Sequence, residues 1–376
     1  MAVLFFCAMT NSKQTNSKSQ RRVLVAMSGG VDSSVAAALL VEQGYDVVGM
    51  TMRVASGEGR EVSDKACCTL DAAQDARRVA DKLGIPHYVI NYVQRFEQEV
   101  IQDFIGEYLA GRTPNPCSRC NQRVKFGALY EKALAIEADA IATGHYARLE
   151  RRGDRVALLR PVDKNKDQSY TLSGLGQAQL ERAMFPLGEM SKEQTRTIAR
   201  SLGLVTADKP ESMEICFVPG DDYRRFLATR VQAPTAGPIV NLQGELVGHH
   251  SGLVNYTVGQ RKGLGIAAAK PYYVVKLDMQ RNALVVGHDD EATVGGLAAS
   301  QVSWCALPPQ TDPFDCFVQI RYKSAPIPCT VTPGADGFSV AFHVPQRAVS
   351  PGQWAVLYDG DTVLAAGIID RPEVGG

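Results

Sequence analysis

The sequence predicts an α/β protein in which a parallel sheet with covering helices is followed by a smaller central unit and an antiparallel β-rich unit. Three observations predict this fold: apolar runs alternate with helical periodicity after residue 22, a glycine-rich turn follows the first run, and period-2 patterns dominate beyond residue 300. The chain has 376 residues. At roughly 100 to 200 residues per domain, this length allows two or three compact units.

The first part of the chain alternates predicted strands and helices. Strands are predicted at residues 23–27, 47–52, 87–90 and 140–143, and helices at residues 31–43, 71–83, 94–109 and 124–136. A β-α-β-α-β succession is typical of a parallel sheet with helices on its faces. The nucleotide-sized crevice of such a sheet lies beyond the carboxyl ends of its strands, and we expect the ligand-binding residues there.

The pattern changes after residue 148. It predicts a hairpin in the arginine-rich residues 148–160, helices at residues 177–183 and 192–202, and a stretch punctuated by glycine and proline at residues 219–252. Period-2 strands are predicted at residues 317–322, 329–332, 338–344, 354–357 and 363–369. They indicate an antiparallel barrel or sandwich of about 80 residues. We expect a flexible tail at residues 1–20 and domains at residues 21–218, 219–292 and 293–376.

Composition and charge exclude several classes of protein. Lysine plus arginine and aspartate plus glutamate number 40 each, so no field of the whole protein attracts nucleic acid or anionic membrane. No run of about 18 apolar residues predicts a membrane span, and residues 1–20 lack a secretory pattern, which indicates a flexible tail or a start codon assigned too early. Nine cysteines, an odd number in a long chain, favour a reducing compartment, and we expect a cytoplasmic protein.

A glycine-rich turn lies between the first predicted strand and the first predicted helix. It reads Ala26-Met27-Ser28-Gly29-Gly30-Val31-Asp32-Ser33. Adjacent glycines let the backbone approach a ligand closely, and the amides of a helix start favour an anion such as phosphate. The turn matches neither G-x-x-x-x-G-K-[ST] nor G-x-G-x-x-G. An ordinary helix cap is the alternative for an isolated turn, but the position between strand and helix favours a phosphate site.

A second motif, Asn115-Pro116-Cys117-Ser118-Arg119-Cys120, precedes the predicted helix at residues 124–136. Its prolines predict an extended turn that presents Cys120 beside Arg119, Arg123 and Lys125. Nearby cations and a helix N-terminus favour a thiolate. A buried, inert thiol is one alternative. Zinc ligation is the other, but the sequence shows no second C-x-x-C or H-x-x-x-H at a suitable spacing.

The glycine-rich turn resembles the pyrophosphate loop, or PP-loop, of the ATP pyrophosphatases, which split ATP between its α and β phosphates. Motifs later in the chain indicate which family of this superfamily the sequence resembles. Cys120 and the downstream Cys216 resemble the cysteine pair of the tRNA-specific 2-thiouridylases, the MnmA/TrmU family. Further similar segments are Thr143-Gly144-His145-Tyr146, Asn165-Lys166-Asp167-Gln168-Ser169-Tyr170 and Gly259-Gln260-Arg261-Lys262-Gly263-Leu264-Gly265. Together the motifs run in order through residues 22–370.

The resemblance implies an N-terminal PP-loop domain, a small central domain and a C-terminal antiparallel β-barrel. It also implies roles for particular residues. ATP would contact residues 26–33, Met52 and Gly144. The target base would contact Asn115, Pro116 and Cys117, and the rest of the tRNA would contact Lys166, Asp167, Gln168, Arg321 and Tyr322. His145 would sense or donate protons, with a structural histidine as the equal alternative.

The resemblance further implies ATP-dependent transfer of sulfur to the wobble uridine of tRNA. Adenylation of the uridine 2-oxygen would make AMP the leaving group. Cys216 would carry the sulfur as a persulfide and Cys120 would act as the nucleophile, leaving a Cys120–Cys216 disulfide. The implied cofactor is ATP with Mg²⁺, and the implied partners are tRNA and a separate persulfide donor protein, because no pyridoxal-type desulfurase domain is evident in the sequence.

Cys117 departs from the family pattern, because many members have an aspartate there with an assigned acid/base role. The third thiol leads to the hypothesis that Cys117, Cys120 and Cys216 bind an Fe–S cluster. A simple resolving thiol is the alternative. The remaining cysteines are predicted to be structural: Cys67 and Cys68 before a helix, and Cys305, Cys316 and Cys329 in β-patterned stretches.

Local charge favours a nucleic-acid surface despite the overall neutrality. Residues 111–125 carry four basic and no acidic side chains, and residues 148–166 carry seven basic and three acidic ones. A solvated face is the usual explanation of such runs. Two other functions stay open: an amide-forming synthetase of the same superfamily, which would need ammonia and not Cys216, and a non-catalytic tRNA-binding or Fe–S scaffold protein, which would not consume ATP.

Overall fold

The computed structural model describes residues 21–54, 70–210, 215–218, 220, 222–232 and 234–373. The predicted tail at residues 1–20, the Cys67-Cys68 pair and the four residues at 211–214 before Ile215 lie outside the described residues. Within the described ranges, no helix combines the length and the apolar character needed to cross a membrane.

A five-stranded parallel sheet forms the N-terminal unit, and the predicted α/β class is confirmed. Its strands, in the spatial order β3-β2-β1-β4-β7, are β1 Arg22–Ala26, β2 Asp46–Arg53, β3 His87–Asn91, β4 Ala140–Thr143 and β7 Ala183–Met184. Ala26, the last residue of β1, lies opposite Met50 of β2 and Thr143 of β4. The strand order reverses at β1, so the segments that follow β1 and β4 meet at the topological switch point, where ligands bind in such sheets.

Within the described residues, ten α-helices cover this sheet or connect it to the rest of the chain. They are α1 Val31–Glu42, α2 Leu70–Leu83, α3 Val93–Phe96, α4 Gln102–Leu109, α5 Pro116–Arg119, α6 Leu129–Ala135, α7 Ser169–Leu172, α8 Gln177–Leu180, α9 Lys192–Ser201 and α10 Tyr223–Ala228. Two π-helical segments, Glu97–Ile101 and Cys120–Ala128, join α3 to α4 and α5 to α6. Such segments are frequent at functional sites.

The helix that carries the second motif begins earlier than the sequence indicates. Pro116 occupies its first position, and the Asn115 side chain accepts a hydrogen bond of 3.1 Å from the Ser118 amide, which caps the helix. Cys120 therefore lies inside a helical run rather than before it, and Cys117 is the thiol nearest the helix N-terminus.

The C-terminal unit is a closed six-stranded antiparallel barrel. Of the two predicted alternatives, barrel and sandwich, the barrel is therefore correct. Its strands are β12 Thr293–Trp304, β13 Phe314–Gln319, β14 Ile327–Pro333, β15 Gly337–Arg347, β16 Trp354–Asp359 and β17 Thr362–Glu373. Pairing of β12 with both β15 and β17 closes the barrel. The long strand β12 was not predicted, because its small residues carry little period-2 signal.

The predicted arginine-rich hairpin forms, but it joins the barrel rather than the N-terminal sheet. Its strands are β5 Arg148–Arg152 and β6 Arg155–Leu159. The end of β6 pairs with the start of β17, with Thr362 opposite Leu159 and Val363 opposite Leu158. This pairing joins residues more than 200 positions apart in the chain, so no local pattern could have revealed it.

The central unit is a four-stranded sheet in the order β10-β11-β8-β9. Its strands are β8 Gly237–Asn241, β9 Leu246–His250, β10 Tyr273–Asp278 and β11 Ala283–Gly287. A small core that includes Ile239, Leu264 and Leu284 holds it together. The sequence predicted no strand here because glycine and proline interrupt the alternation of apolar and polar residues.

The barrel packs directly on the N-terminal unit. One hydrophobic core contains Leu24 and Phe104 from the sheet and its helices together with Trp354 and Tyr358 from the barrel. The buried Tyr170 hydroxyl donates a hydrogen bond of 3.0 Å to the Trp354 carbonyl. Residues of the barrel are thereby held at defined positions beside the N-terminal unit.

Candidate nucleotide and thiol site

The glycine-rich loop after β1 is organised around Ser33. The Ser28 amide donates to Ser33 Oγ at 3.1 Å, and Ser33 Oγ donates to the Gly30 carbonyl at 3.2 Å. Gly30 is the N-cap of α1 and has no side chain with which to cap it. The first amides of a twelve-residue helix therefore face the loop, and the positive end of the helix dipole suits a phosphate group there.

Two glycines bring separate segments against this loop. Gly29 has φ +69°, and a Cβ on it would lie 2.0 Å from the Ala72 carbonyl oxygen at the start of α2. A Cβ on Gly144, which follows β4, would lie 2.5 Å from the Ser33 amide nitrogen. Neither position has room for a side chain, so Gly144 lies directly beside the loop, as expected for a residue lining the same cleft.

The start of the loop is tied to the end of β2. The Met27 amide donates to the Met50 carbonyl at 2.8 Å, and Thr51 Oγ1 donates to the Met27 carbonyl at 2.7 Å. The next residue, Met52, is buried in the large N-terminal core. The structure thus places all the predicted ATP contacts at the carboxyl ends of β1, β2 and β4.

Two lysines that the sequence analysis missed converge on the loop. Lys192 Nζ lies 2.7 and 2.8 Å from the two carboxylate oxygens of Asp32, and the Tyr146 hydroxyl donates to one of these oxygens at 3.0 Å. Lys209 Nζ donates to the Gly29 carbonyl at 3.0 Å and contacts Asp75 at 2.8 Å. Both lysines lie more than 150 residues after the loop. The one local signal was the Ser191-x-x-Gln194 capping box, which begins a helix at Lys192.

His145 lies in the same cleft, between β4 and the hairpin. Its Nδ1 is 2.7 Å from Thr143 Oγ1, and its ring meets the edge of Phe185. Burial, with a smaller contribution from the charge of Lys125, holds the pKa of His145 well below its usual value. The imidazole is therefore neutral at physiological pH and is a poor proton donor there.

Two of the cations expected around Cys120 form ion pairs with a carboxylate of α4. Arg119 and Arg123 both form ion pairs with Asp103, at 3.4 and 3.2 Å. The charge of Lys125 contributes to the lowered pKa of His145. Asp103 of α4 thus partly offsets the charges of both arginines, and the predicted group of three cations beside Cys120 stays a prediction.

Cys117 is exposed, whereas Cys120 and Cys216 are half-buried. Both half-buried thiols pack against the same hydrophobic core. Cys216 lies in a turn, and the ring of the next residue, Phe217, packs edge-on against Phe104 with 5.2 Å between ring centroids. The structure thus brings the two predicted catalytic cysteines to one core, with Cys216 positioned by an aromatic anchor.

The cysteines of the barrel region are poorly suited to sulfur chemistry. Burial raises the pKa of the Cys305 thiol to about 12. The Cys316 thiol faces Cys329 across β13 and β14 at 3.8 Å, and that hydrogen bond, together with burial, raises the pKa of Cys316. All three cysteines are buried in the core, as expected for structural residues.

Several predicted tRNA contacts come together where the barrel meets the N-terminal unit. Tyr322 is 41% exposed, and its pKa is raised by burial and by the negative charges of Asp167 and Cys117. Its ring centroid lies 6.0 Å from that of Tyr170. Arg321, beside Tyr322, is exposed, and Lys166 is half-buried. Residues from three distant parts of the chain thus form one surface around Tyr322.

Asp167 and Gln168 form internal contacts at this junction. The Asp167 carboxylate accepts a hydrogen bond of 2.5 Å from Arg160, whose guanidinium lies 3.8 Å from the ring centroid of Tyr358. Gln168 Oε1 accepts a hydrogen bond of 2.8 Å from the Tyr146 amide. These two side chains connect the barrel junction to the nucleotide cleft, a role that the sequence did not indicate.

Comparison with known proteins assigns the chain to a family. Three family models match it in order: a tRNA methyl transferase HUP domain over residues 21–220, a tRNA methyl transferase PRC-barrel domain over residues 224–288, and an aminomethyltransferase beta-barrel domain over residues 294–369. A tRNA-specific 2-thiouridylase MnmA from Symbiobacterium thermophilum is 51% identical, with 93% of this chain and 92% of that protein covered. The MnmA proteins of Pelotomaculum thermopropionicum and Geobacter metallireducens are 48% and 50% identical, with at least 93% of this chain and 97% of each relative covered. The chain belongs to the tRNA-specific 2-thiouridylase family.

This assignment confirms the predicted family and the predicted class of enzyme, a tRNA sulfurtransferase. The roles of individual residues in this 2-thiouridylase family member rest on the geometry above and remain proposals. Nucleotide binding fits that geometry, because the loop after β1 ends at the N-terminus of α1, whose Gly30 N-cap has no side chain.

The described residues do not fit the hypothesis of an Fe–S cluster. Across the ranges that the structure describes, no group of three or more histidine, cysteine, aspartate and glutamate side chains is placed to hold a metal ion. Cys117, Cys120 and Cys216 therefore do not form a ligand set in this conformation, and no step below depends on a cluster.

Proposed function

We propose that this chain is an ATP-dependent tRNA-uridine 2-sulfurtransferase that makes 2-thiouridine at the wobble position. One arrangement carries the proposal: the Gly144-His145 segment after β4 packs directly against the anion-binding loop after β1, and Cys120 and Cys216 both pack against the core that includes Leu24 of β1 and Ile141 of β4. An activated base and a sulfur nucleophile need this arrangement, because the reacting groups must be held together for the transfer.

The nucleotide step uses the loop and its two lysines. The amides of the loop and the α1 N-terminus bind the β and γ phosphates, and the ammonium groups of Lys192 and Lys209 lie where they offset the charge of the pyrophosphate. The uridine 2-oxygen attacks the α phosphorus, pyrophosphate leaves, and the base is adenylated. In this proposal Mg²⁺ binds together with the ATP phosphates. The loop itself contributes one carboxylate side chain, that of Asp32.

The sulfur step uses Cys216 and Cys120. Cys216 receives a persulfide from a separate donor protein. The Cys120 thiolate attacks Cys216 Sγ, a Cys120–Cys216 disulfide forms, and the terminal sulfur keeps its electron pair, bonds to carbon 2 and displaces AMP. A dithiol reductant then restores both thiols. Packing of both cysteines against one core supports this pairing.

The tRNA surface is assigned to the junction around Tyr322. The exposed Tyr322 ring offers a platform for an unstacked base, and the neighbouring Arg321 offers a cation for the backbone. Asn115 and Pro116 hold the helix start, so the exposed Cys117 is the member of that motif that faces this junction.

The test is thiolation of unmodified tRNA with ATP and a persulfide donor, followed by analysis of the nucleosides. Wild type is expected to form 2-thiouridine with one AMP per product. Cys120→Ser and Cys216→Ser are expected to lose at least about a hundredfold in rate while still binding ATP, and Cys316→Ala, a barrel thiol, serves as the matched control. Inorganic sulfide is expected to restore part of the activity of Cys216→Ser.

Full activity of either Cys120→Ser or Cys216→Ser with the persulfide donor would contradict the assigned pair. Methyl transfer from S-adenosylmethionine to tRNA, with no sulfur incorporated, would contradict the proposed reaction. Ammonia-dependent release of AMP without thiolation would identify an amide-forming synthetase, and tRNA binding without ATP consumption would identify a scaffold protein.

A further inference from the structure

A loop of the central unit at residues 257–265, here called the basic loop, has a defined conformation although it contains no strand or helix. The Gln260 side chain spans it, accepting a hydrogen bond of 3.2 Å from the Thr257 amide and donating one of 2.9 Å to the Lys262 carbonyl. Gly259 and Gln260 exchange backbone hydrogen bonds with Val274 of β10. The buried Leu264 anchors the far end of the loop. Two side chains, those of Arg261 and Lys262, project into solvent from this frame.

The charge around the basic loop is unusual for a protein of zero net charge. Between Glu245 and Asp278 the sequence contains four lysine or arginine residues and no carboxylate side chain. Among the residues that the structure describes, no ion pair engages Arg261 or Lys262. Other cations of this region are compensated, since Arg230 lies 3.0 Å from Glu97 and Lys276 lies 3.6 Å from Asp278. A preorganised pair of uncompensated cations favours an anionic partner.

Packing places the basic loop next to the segment that leads into the thiol motif. A Cβ on Gly259 would lie 2.1 Å from the Cβ of Ala348, and Ser350 Oγ donates to the Val258 carbonyl at 3.1 Å. The next residue of the barrel, Pro351, accepts a hydrogen bond of 2.7 Å from the Thr113 amide. Thr113 precedes the Asn115 cap by two residues. The basic loop thus packs on the barrel segment that also contacts Thr113, close in sequence to the proposed target-base site.

We propose that Arg261 and Lys262 form a second tRNA-binding surface, which contacts phosphates of the RNA backbone while the target base occupies the thiol site. This inference rests on the proposed function, since it assigns a further contact to the same substrate. Phosphodiesters are the fitting ligand, because the loop offers two exposed cations and no carboxylate. The contact positions the tRNA and does not read its sequence.

The experiment measures the affinity of the full chain for unmodified tRNA by fluorescence anisotropy over a series of salt concentrations. Arg261→Ala/Lys262→Ala is compared with a control of equal charge change, Lys132→Ala/Arg371→Ala, whose exposed cations lie on α6 and at the end of β17. Removal of two phosphate contacts is expected to lower the slope of log K against log salt by about 1.4 to 1.8 and to weaken binding about tenfold near physiological salt. The control is expected to keep the wild-type slope, and ATP affinity is expected to be unchanged in both variants.

Wild-type tRNA affinity and slope in Arg261→Ala/Lys262→Ala would overturn this inference and leave the proposed function intact. Equal losses in the two double variants would also overturn it, because they would show a general charge effect. Intact tRNA binding with a selective loss of sulfur transfer from the donor protein, but not from inorganic sulfide, would assign the loop to that protein instead. Failure of the wild type to bind tRNA at all would overturn the proposed function as well.

Discussion

Lys192 and Asp32 are 160 positions apart in the chain, yet the lysine ammonium contacts both oxygens of the aspartate carboxylate, at 2.7 and 2.8 Å. The lysine side chain is 12% exposed and the aspartate side chain 32% exposed. The ion pair connects the first residue of α9 to the first turn of α1. The ion pair thereby holds the Lys192 ammonium at the edge of the anion-binding loop. An incoming triphosphate would compete with Asp32 for this ammonium group.

Replacement of this cation should weaken nucleotide binding. Lys192→Met is expected to lower ATP affinity about tenfold, which corresponds to about 1.4 kcal/mol, because the loop loses a charge that faces the phosphates. Isothermal titration with ATP measures the effect. Lys164→Met, which removes an exposed cation that pairs with Asp361, should leave ATP affinity unchanged, and wild-type affinity in Lys192→Met would show that the ammonium does not serve the nucleotide.

The contact between Gly144 and the loop predicts a steric effect. Gly144→Ala is expected to abolish ATP binding and to destabilise the protein by about 1 to 3 kcal/mol, because its Cβ would lie 2.5 Å from the Ser33 amide nitrogen. Gly106→Ala is the matched control. Its Cβ would meet no atom within 4 Å in α4, and removal of a helical glycine should stabilise slightly. Thermal unfolding and ATP titration of both variants provide the comparison, and unimpaired ATP binding by Gly144→Ala would refute the packing argument.

The depressed pKa of His145 predicts a dependence of stability on pH. Since the folded state holds a neutral imidazole, the unfolded state binds the proton first as the pH falls below about 6.5, the usual histidine pKa. Stability from this group is fully present above that value and is lost as the pH falls toward the folded pKa. His145→Gln should lose less stability than wild type between pH 6.5 and 5, as followed by urea unfolding. Parallel pH profiles of wild type and His145→Gln would exclude this role.

The exposed ring of Tyr322 predicts a stacking contact with RNA. Tyr322→Leu is expected to weaken tRNA binding by about 1 to 3 kcal/mol, the usual contribution of an aromatic ring to stacking on one base. Tyr322→Phe retains the ring and should retain affinity. Binding of unmodified tRNA measured by anisotropy tests both, with the exposed Tyr88→Leu on β3 as a control. Equal affinity in Tyr322→Leu and wild type would place the RNA elsewhere.

The glycine-rich loop could be predicted because its signal is local. A strand, two adjacent glycines and a helix start follow one another within Arg22–Ala26 and the residues up to Ser33, and backbone geometry requires that order for an anion site. The Cys120 environment could not be predicted in the same way. Arg119 and Arg123 are its neighbours in sequence, but Asp103 on a different helix decides where their charges lie.

The sequence by itself determined the parallel sheet, its loop, the β-rich end of the chain and the family, because strand and helix periodicity and motif order are properties of neighbouring residues. Only the tertiary structure decided that the hairpin at residues 148–159 belongs to the barrel sheet, that Lys192 and Lys209 reach the loop, and that Asp167 and Cys117 lie close enough to Tyr322 to act on its pKa. Contacts of this kind join segments separated by more than 100 residues. They depend on how whole units pack, and the local pattern of a chain carries no information about that packing.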